Sequence, residues 1–194
     1  DGLSWAPRNN GIQCIGITQV TSCGQALFVA TDSCGVYKSL DYGETWIFSG
    51  NGLPMLGFYP GLMVANNQRI YIRYYEYNTS GFSHYVSFDQ GETWVESDES
   101  IYWDCYMKDS IIFTTGQDHV KLSTDYGNTW TLFNENLPTF ENNYDIFCGA
   151  SDGTHHFIGT QITGVYMYMD GNWVPINGGL DWQYGDHIYD LHIV

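Results

Sequence analysis

Ser39-Leu40-Asp41-Tyr42-Gly43-Glu44-Thr45-Trp46 recurs as Ser87-Phe88-Asp89-Gln90-Gly91-Glu92-Thr93-Trp94 and as Ser123-Thr124-Asp125-Tyr126-Gly127-Asn128-Thr129-Trp130. The shared pattern is S-x-D-x-G-x-T-W, and its five fixed positions align three times without a gap. A period of this kind sets the architecture before any local propensity is weighed. Shortened copies flank the complete ones. Asp170-Gly171-Asn172-Trp173 lacks the Thr, and Asp1-Gly2-Leu3-Ser4-Trp5 is the tail of another. Asn-rich turn signals follow Trp5, Trp46, Trp130 and Trp173: Asn9-Asn10-Gly11, Asn51-Gly52, Asn136-Leu137-Pro138 and Asn177-Gly178. The aspartates are 48, 36 and 45 residues apart, the length of a four-stranded blade.

The octet has the chemistry of a turn. Asp bonds backbone amides ahead of it, and Gly takes a positive φ without steric cost. Ser and Thr cross-bond at the ends of the hairpin, and Trp anchors the next strand in the core. Each conspicuous residue therefore has a folding role. One carboxylate per turn is also a poor cation site, and no metal is expected there.

The octet resembles the Asp-box (BNR) repeat of the sialidase-like and sortilin-type β-propellers. That group includes sialidases, xyloglucanases, sortilin-type receptor domains and a photosystem assembly factor. The resemblance implies that the box joins the third and fourth strands of each blade and lies away from any active centre. The implied fold is all-β: a small propeller of four complete four-stranded blades plus a partial fifth.

Strands are predicted at 12–18, 26–31, 35–40 and 45–49, then 57–64, 69–77, 83–88 and 93–96. The third set is 101–107, 110–115, 120–123 and 129–133; the fourth is 144–149, 155–160, 164–169 and 173–176. These runs are β-branched and aromatic, bounded by Gly, Asn and Asp, with no sustained helical period. The whole chain, 1–194, reads as one domain. The stretch from Trp5 to Arg8 reads as an outermost strand, and that from His187 to Val194 as an innermost one. Together they give an incomplete closing blade. Three arrangements follow: a piece of a longer propeller, a ring of about five blades with one incomplete, or a blade completed by strand addition from a neighbouring chain.

Six Lys and Arg face 22 Asp and Glu, for a net charge of −16. That balance repels phosphate backbones, so nucleic acid is excluded as a partner. No stretch reaches the roughly 20 apolar residues of a membrane helix, so no membrane insertion is expected. The chain starts at Asp1 rather than Met, as after removal of a signal peptide or trimming from a longer sequence. Asn78-Thr79-Ser80 is a glycosylation sequon. An extracellular or cell-surface location is expected. The five cysteines, Cys14, Cys23, Cys34, Cys105 and Cys148, form no CxxC pair. Their odd number leaves at least one thiol unpaired within the chain. Cys23 and Cys34 flank a predicted strand too long for a mutual disulfide.

Sialidase chemistry needs an arginine triad, and Arg8, Arg69 and Arg73 are the only arginines. Arg69 and Arg73 share one face of one strand and read as a solvent-facing pair. Glycoside hydrolysis needs only two carboxylates; Asp104 and Asp145, near innermost strands, are the best candidate pair. His155 and His156 are adjacent and cannot readily share one ion. His187 with Asp186 and Asp190 is the better ligand group, although surface histidines are the expectation. No phosphate loop or nucleophile elbow stands out, and no cofactor is expected.

Seven Trp and 16 Tyr exceed what the boxes use. Trp103, Trp182, Tyr184 and Tyr75, the last within Tyr74-Tyr75-Glu76-Tyr77, lie outside them and suit sugar or protein recognition. The expected function is a non-catalytic extracellular module for binding, adhesion or assembly, with a glycan, another protein or a second copy as partner. The alternatives are a fragment of a glycoside hydrolase and a lectin.

Overall fold

The computed structural model describes residues 4–14, 16–54, 58–77, 80–97, 104–116, 119–137, 146–180 and 187–193. They form sixteen strands: β1 Ile17–Cys23, β2 Ala26–Thr31, β3 Val36–Ser39, β4 Ile47–Phe48, β5 Phe58–Ala65, β6 Ile70–Glu76, β7 Gly81–Ser87 and β8 Val95–Glu96. Then follow β9 Asp104–Lys108, β10 Ile111–Thr115, β11 Val120–Ser123, β12 Thr131–Leu132, β13 Ile146–Ser151, β14 His156–Thr160, β15 Val165–Met169 and β16 Asn172–Pro175. Each consecutive set of four forms one antiparallel sheet in chain order, the up-and-down order of a propeller blade. No helix occurs among the described residues.

The chain divides into two compact units, Asp1–Ser100 and Ile101–Val194. In the first, sheets β1–β4 and β5–β8 share a core of Phe28, Val36, Met63, Ile70, Ile72, Tyr74 and Trp94. In the second, sheets β9–β12 and β13–β16 share Phe113, Val120, Leu122, Ile146, Ile158 and Trp173. Alternation along β6 sends Ile70, Ile72 and Tyr74 into that first core.

Fourteen of the sixteen predicted strands lie within two residues of the observed ends; the strand predicted at 12–18 does not, and residues 101–103 of the one predicted at 101–107 lie outside the described residues. The first strand is Ile17–Cys23, because Cys23 pairs directly with Ala26 across Gly24-Gln25. Gly24 has φ 61°, as the first central residue of a tight II′ hairpin requires. The β-branched run before it was the stronger signal, and the short turn was missed. The upstream segment is fastened instead by a Cys14–Cys34 disulfide, Cα–Cα 6.0 Å. Cys23, Cys105 and Cys148 are buried free thiols, so Cys23 and Cys34 are indeed not partners. The described residues from Trp5 to Arg8 and from His187 to Ile193 carry no regular strand.

Candidate recognition surface

The three complete boxes have one geometry. In the second, Ser87 Oγ donates to Asp89 Oδ1 at 2.8 Å and accepts from the Gly91 amide at 2.8 Å. The Thr93 amide and hydroxyl donate to the two Asp89 oxygens at 2.9 and 2.6 Å. Asp41 and Asp125 are held identically by Ser39 and Thr45, and by Ser123 and Thr129. The Thr129 hydroxyl, then its amide, holds the Asp125 carboxyl down to about 2. Thr45 does the same for Asp41. At Asp89 burial opposes ionisation, but the Thr93 and Ser87 bonds prevail and the pKa is lowered. Tyr42, Gln90 and Tyr126 take positive φ, each followed by Gly43, Gly91 or Gly127 at φ 82–86°. At Gly91 a Cβ would also run into Phe28 and Ser49. The box carboxylates are thus committed to the turn. The fourth copy, between β15 and β16, is a two-residue turn with both Asp170 and Gly171 at positive φ.

The box tryptophans of the first, second and fourth sheets tie each of these sheets to the segment before it. The Trp94 indole donates to the Ser49 carbonyl at 2.7 Å, Trp173 to Phe133 at 2.9 Å and Trp46 to Arg8 at 2.8 Å. In every case the acceptor lies three residues beyond the preceding repeat's Trp: Trp46, Trp130 and Trp5. Trp5 therefore occupies the register of a box tryptophan.

The second sheet departs from the common plan at its other end. Counted from the box serine, β7 pairs with β6 over seven positions, Ser87 to Gly81. The equivalent ladders in the first and third sheets have four, ending at Val36 and Val120. The three extra rungs add about 10 Å of hairpin. They carry Tyr75 opposite Phe82, and Tyr59 lies opposite Tyr75 on β5. Residues directly opposite share a face. The result is an aromatic row across three strands, about 10 Å from end to end. Tyr77 extends it, with its ring centre 5.8 Å from Tyr75, and Phe82 lies 5.6 Å from Tyr75. Tyr77, Phe82 and Tyr59 are 68%, 45% and 42% exposed. The Arg73 guanidinium covers Phe82 at 4.9 Å. Tyr74 faces the opposite way and is buried, and burial pushes its hydroxyl pKa up.

Of the aromatic candidates read from sequence, Tyr75 thus belongs to this surface. Trp103, Trp182 and Tyr184 lie outside the described residues, as do Asn78, Asp145 and Asp186. Tyr59 and Phe82 were missed, because only strand register places them beside Tyr75. Arg69 and Arg73 are not a solvent-facing pair. Both are half-buried, each against a phenylalanine ring, Phe88 for Arg69 at 4.7 Å.

Asp104 begins β9. Its carboxylate accepts the Cys105 and Gly149 amides at 2.9 and 3.0 Å. Burial outweighs those bonds and raises its pKa, and the charge of Asp190 adds to the rise. Burial, then the charges of Asp104 and Asp190, pushes the Cys148 thiol to about 12. Asp190 pairs with His192 at 3.1 Å. His187 stacks on Tyr189, ring centres 5.4 Å apart; Asp186, the third member of that candidate group, lies outside the described residues. His156 is no surface residue: it is buried against Phe113 and bonded to Ser151 Oγ at 2.8 Å. His155 is exposed beside Asp152. Among the described residues no three His, Cys, Asp or Glu side chains are grouped to hold a metal ion.

The BNR/Asp-box repeat model matches residues 85–96. No curated protein sequence matches the chain. Among solved structures it resembles the GH74 enzyme of Niastella koreensis, with TM-score 0.53 and 19% identity over 83% of this chain and 30% of that one. It resembles the GH74 xyloglucanase of Xanthomonas campestris, with TM-score 0.54 and 16% identity over 84% and 30%. A third resemblance is to the extracellular domain of a hybrid two-component system from B. thetaiotaomicron, with TM-score 0.53 and 16% identity over 90% and 24%. The chain thus spans under a third of each. At these identities the likeness is one of fold. The chain carries Asp-box repeats on an all-β, propeller-type fold, as its sequence indicated. Among the described residues no helix is long and apolar enough to cross a membrane.

Proposed function

We propose that this propeller-type module is extracellular and non-catalytic, and that it binds a neutral polysaccharide on the aromatic row of its second sheet. The carrying observation is the three-rung extension of β6 and β7, which the repeat does not require and which displays Tyr75, Tyr77 and Phe82. Flat rings with an amphipathic rim suit sugar faces. The net charge of −16 disfavours acidic polymers and leaves neutral ones. Adhesion to a glycan-coated surface, or assembly upon one, is the role such a surface serves. Affinity electrophoresis in gels containing neutral glucans tests it. Retardation is expected for the wild type, to be lost in Tyr75→Ala and Phe82→Ala while both keep their melting temperature. A wild type that runs unretarded through every neutral glucan would refute it.

The second reading is a piece of a glycoside hydrolase. Asp104 favours it, because a part-buried carboxyl with a raised pKa beside a second acid is the pattern of a general acid. Release of reducing sugar that disappears in Asp104→Asn would establish this reading over the first.

A further inference from the structure

Lys38 stands one residue before its box serine. The other repeats have Val86, Leu122 and Met167 there. Val86 and Leu122 are buried, so the repeat treats the position as core. Lys38 is equally buried, its side chain 7% exposed. A buried ammonium is costly unless paired, and a structural pair would enclose both partners. This one does not. Lys38 Nζ meets Glu92 Oε1 at 2.9 Å, but the Glu92 side chain is 69% exposed. The ammonium also lies 5.8 Å from the centre of the Phe28 ring. The fold thus holds a buried cation whose ion-pair partner, Glu92, reaches in from solvent.

That cation lines a cavity of about 500 Å³ with Asn67, Gln68, Arg69, Gln90 and Glu92. The volume is in the range of small-molecule sites. Asp89 also reaches the wall, but Ser87 and Thr93 engage its carboxylate. Three neutral amide side chains, each able to donate and accept, line the cavity with the cation.

We propose that this cavity binds a small polyhydroxy carboxylic acid, of which a uronic acid is the type. Its carboxylate replaces that of Glu92 on Lys38, and the amides of Asn67, Gln68 and Gln90 take its hydroxyls. Glu92 is the internal competitor that the ligand displaces. The site is separate from the aromatic row and does not depend on it.

Isothermal titration of the whole chain with glucuronate, glucose and sulfate in separate arms tests this. Glucuronate is expected to bind and glucose and sulfate are not. Glu92→Gln removes the competing charge, so glucuronate should bind about tenfold tighter. Lys38→Met places an apolar side chain where the fourth repeat has one, and should retain the fold and lose at least about tenfold in affinity. Three results overturn the proposal: no glucuronate binding by Glu92→Gln, undiminished binding by folded Lys38→Met, or binding of glucose or sulfate as tight as that of glucuronate. If Lys38→Met does not fold, the Glu92→Gln arm decides alone.

Discussion

Replacing Trp94 with phenylalanine attacks the joint between the first two sheets. The indole is 3% exposed and its Nε1 donates to the Ser49 carbonyl at 2.7 Å. Phenylalanine keeps one ring in the core and removes the donor. The lost bond is worth about 1 kcal/mol, and stranding a buried carbonyl adds about 1–3 kcal/mol. Losing the second ring removes roughly 40 Å² of apolar contact, about 1 kcal/mol, before any cavity penalty. Partial relaxation reduces the sum, so Trp94→Phe should cost about 2–4 kcal/mol. Urea unfolding followed by far-UV circular dichroism measures it, with the slope compared with wild type to exclude a change in the unfolded state. Trp46→Phe provides the comparison, since its acceptor, Arg8, is at a part-buried site open to water; its loss should be smaller. A Trp94→Phe cost below about 1 kcal/mol, at an unchanged slope, would show that the indole bond does not join the sheets.

Gly52 has φ 95°, and a Cβ there would fall on the Trp94 carbonyl oxygen; Gly52→Ala should lower the melting temperature by several degrees, and an unchanged value would contradict the close approach. The box carboxyls set the acid limit. Asp125, at about 2 when folded, lies below its unfolded value near 3.9. Its contribution is therefore complete above about pH 4 and is lost as the pH falls towards 2. A melting-temperature profile of Asp125→Asn should be flatter than wild type in that window; a parallel profile would count against it. Cys23, Cys105 and Cys148 are buried, with burial raising all three thiol pKa values. Thiol reagents at pH 8 should find none in the folded protein and three after unfolding without reductant; rapid labelling in the native state would refute the burial.

Much of the fold was legible because the box is a local device. Its Ser, Asp, Gly and Thr satisfy one another within eight residues, so their spacing alone specifies the turn between the third and fourth strands of a sheet. The first hairpin was not legible in the same way. Gly24-Gln25 is a two-residue turn without an Asn-Gly signal, and the segment ahead of Ile17, which reads as strand, is fastened by the Cys14–Cys34 disulfide rather than by pairing. His156 read as a surface residue because adjacent histidines gave no sign of which one faces Phe113.

The sequence by itself determined the repeat, the all-β class, the strand order within each sheet and the commitment of the box carboxylates. Each depends on residues close together in the chain. The tertiary structure alone decided which aromatics share a face and which polar residues are enclosed. Tyr59, Tyr75 and Phe82 become one row only through cross-strand register. Lys38, at a core position of the repeat, meets its ion-pair partner only in Glu92, 54 residues away. Both follow from long-range pairing and burial, which a local pattern does not encode.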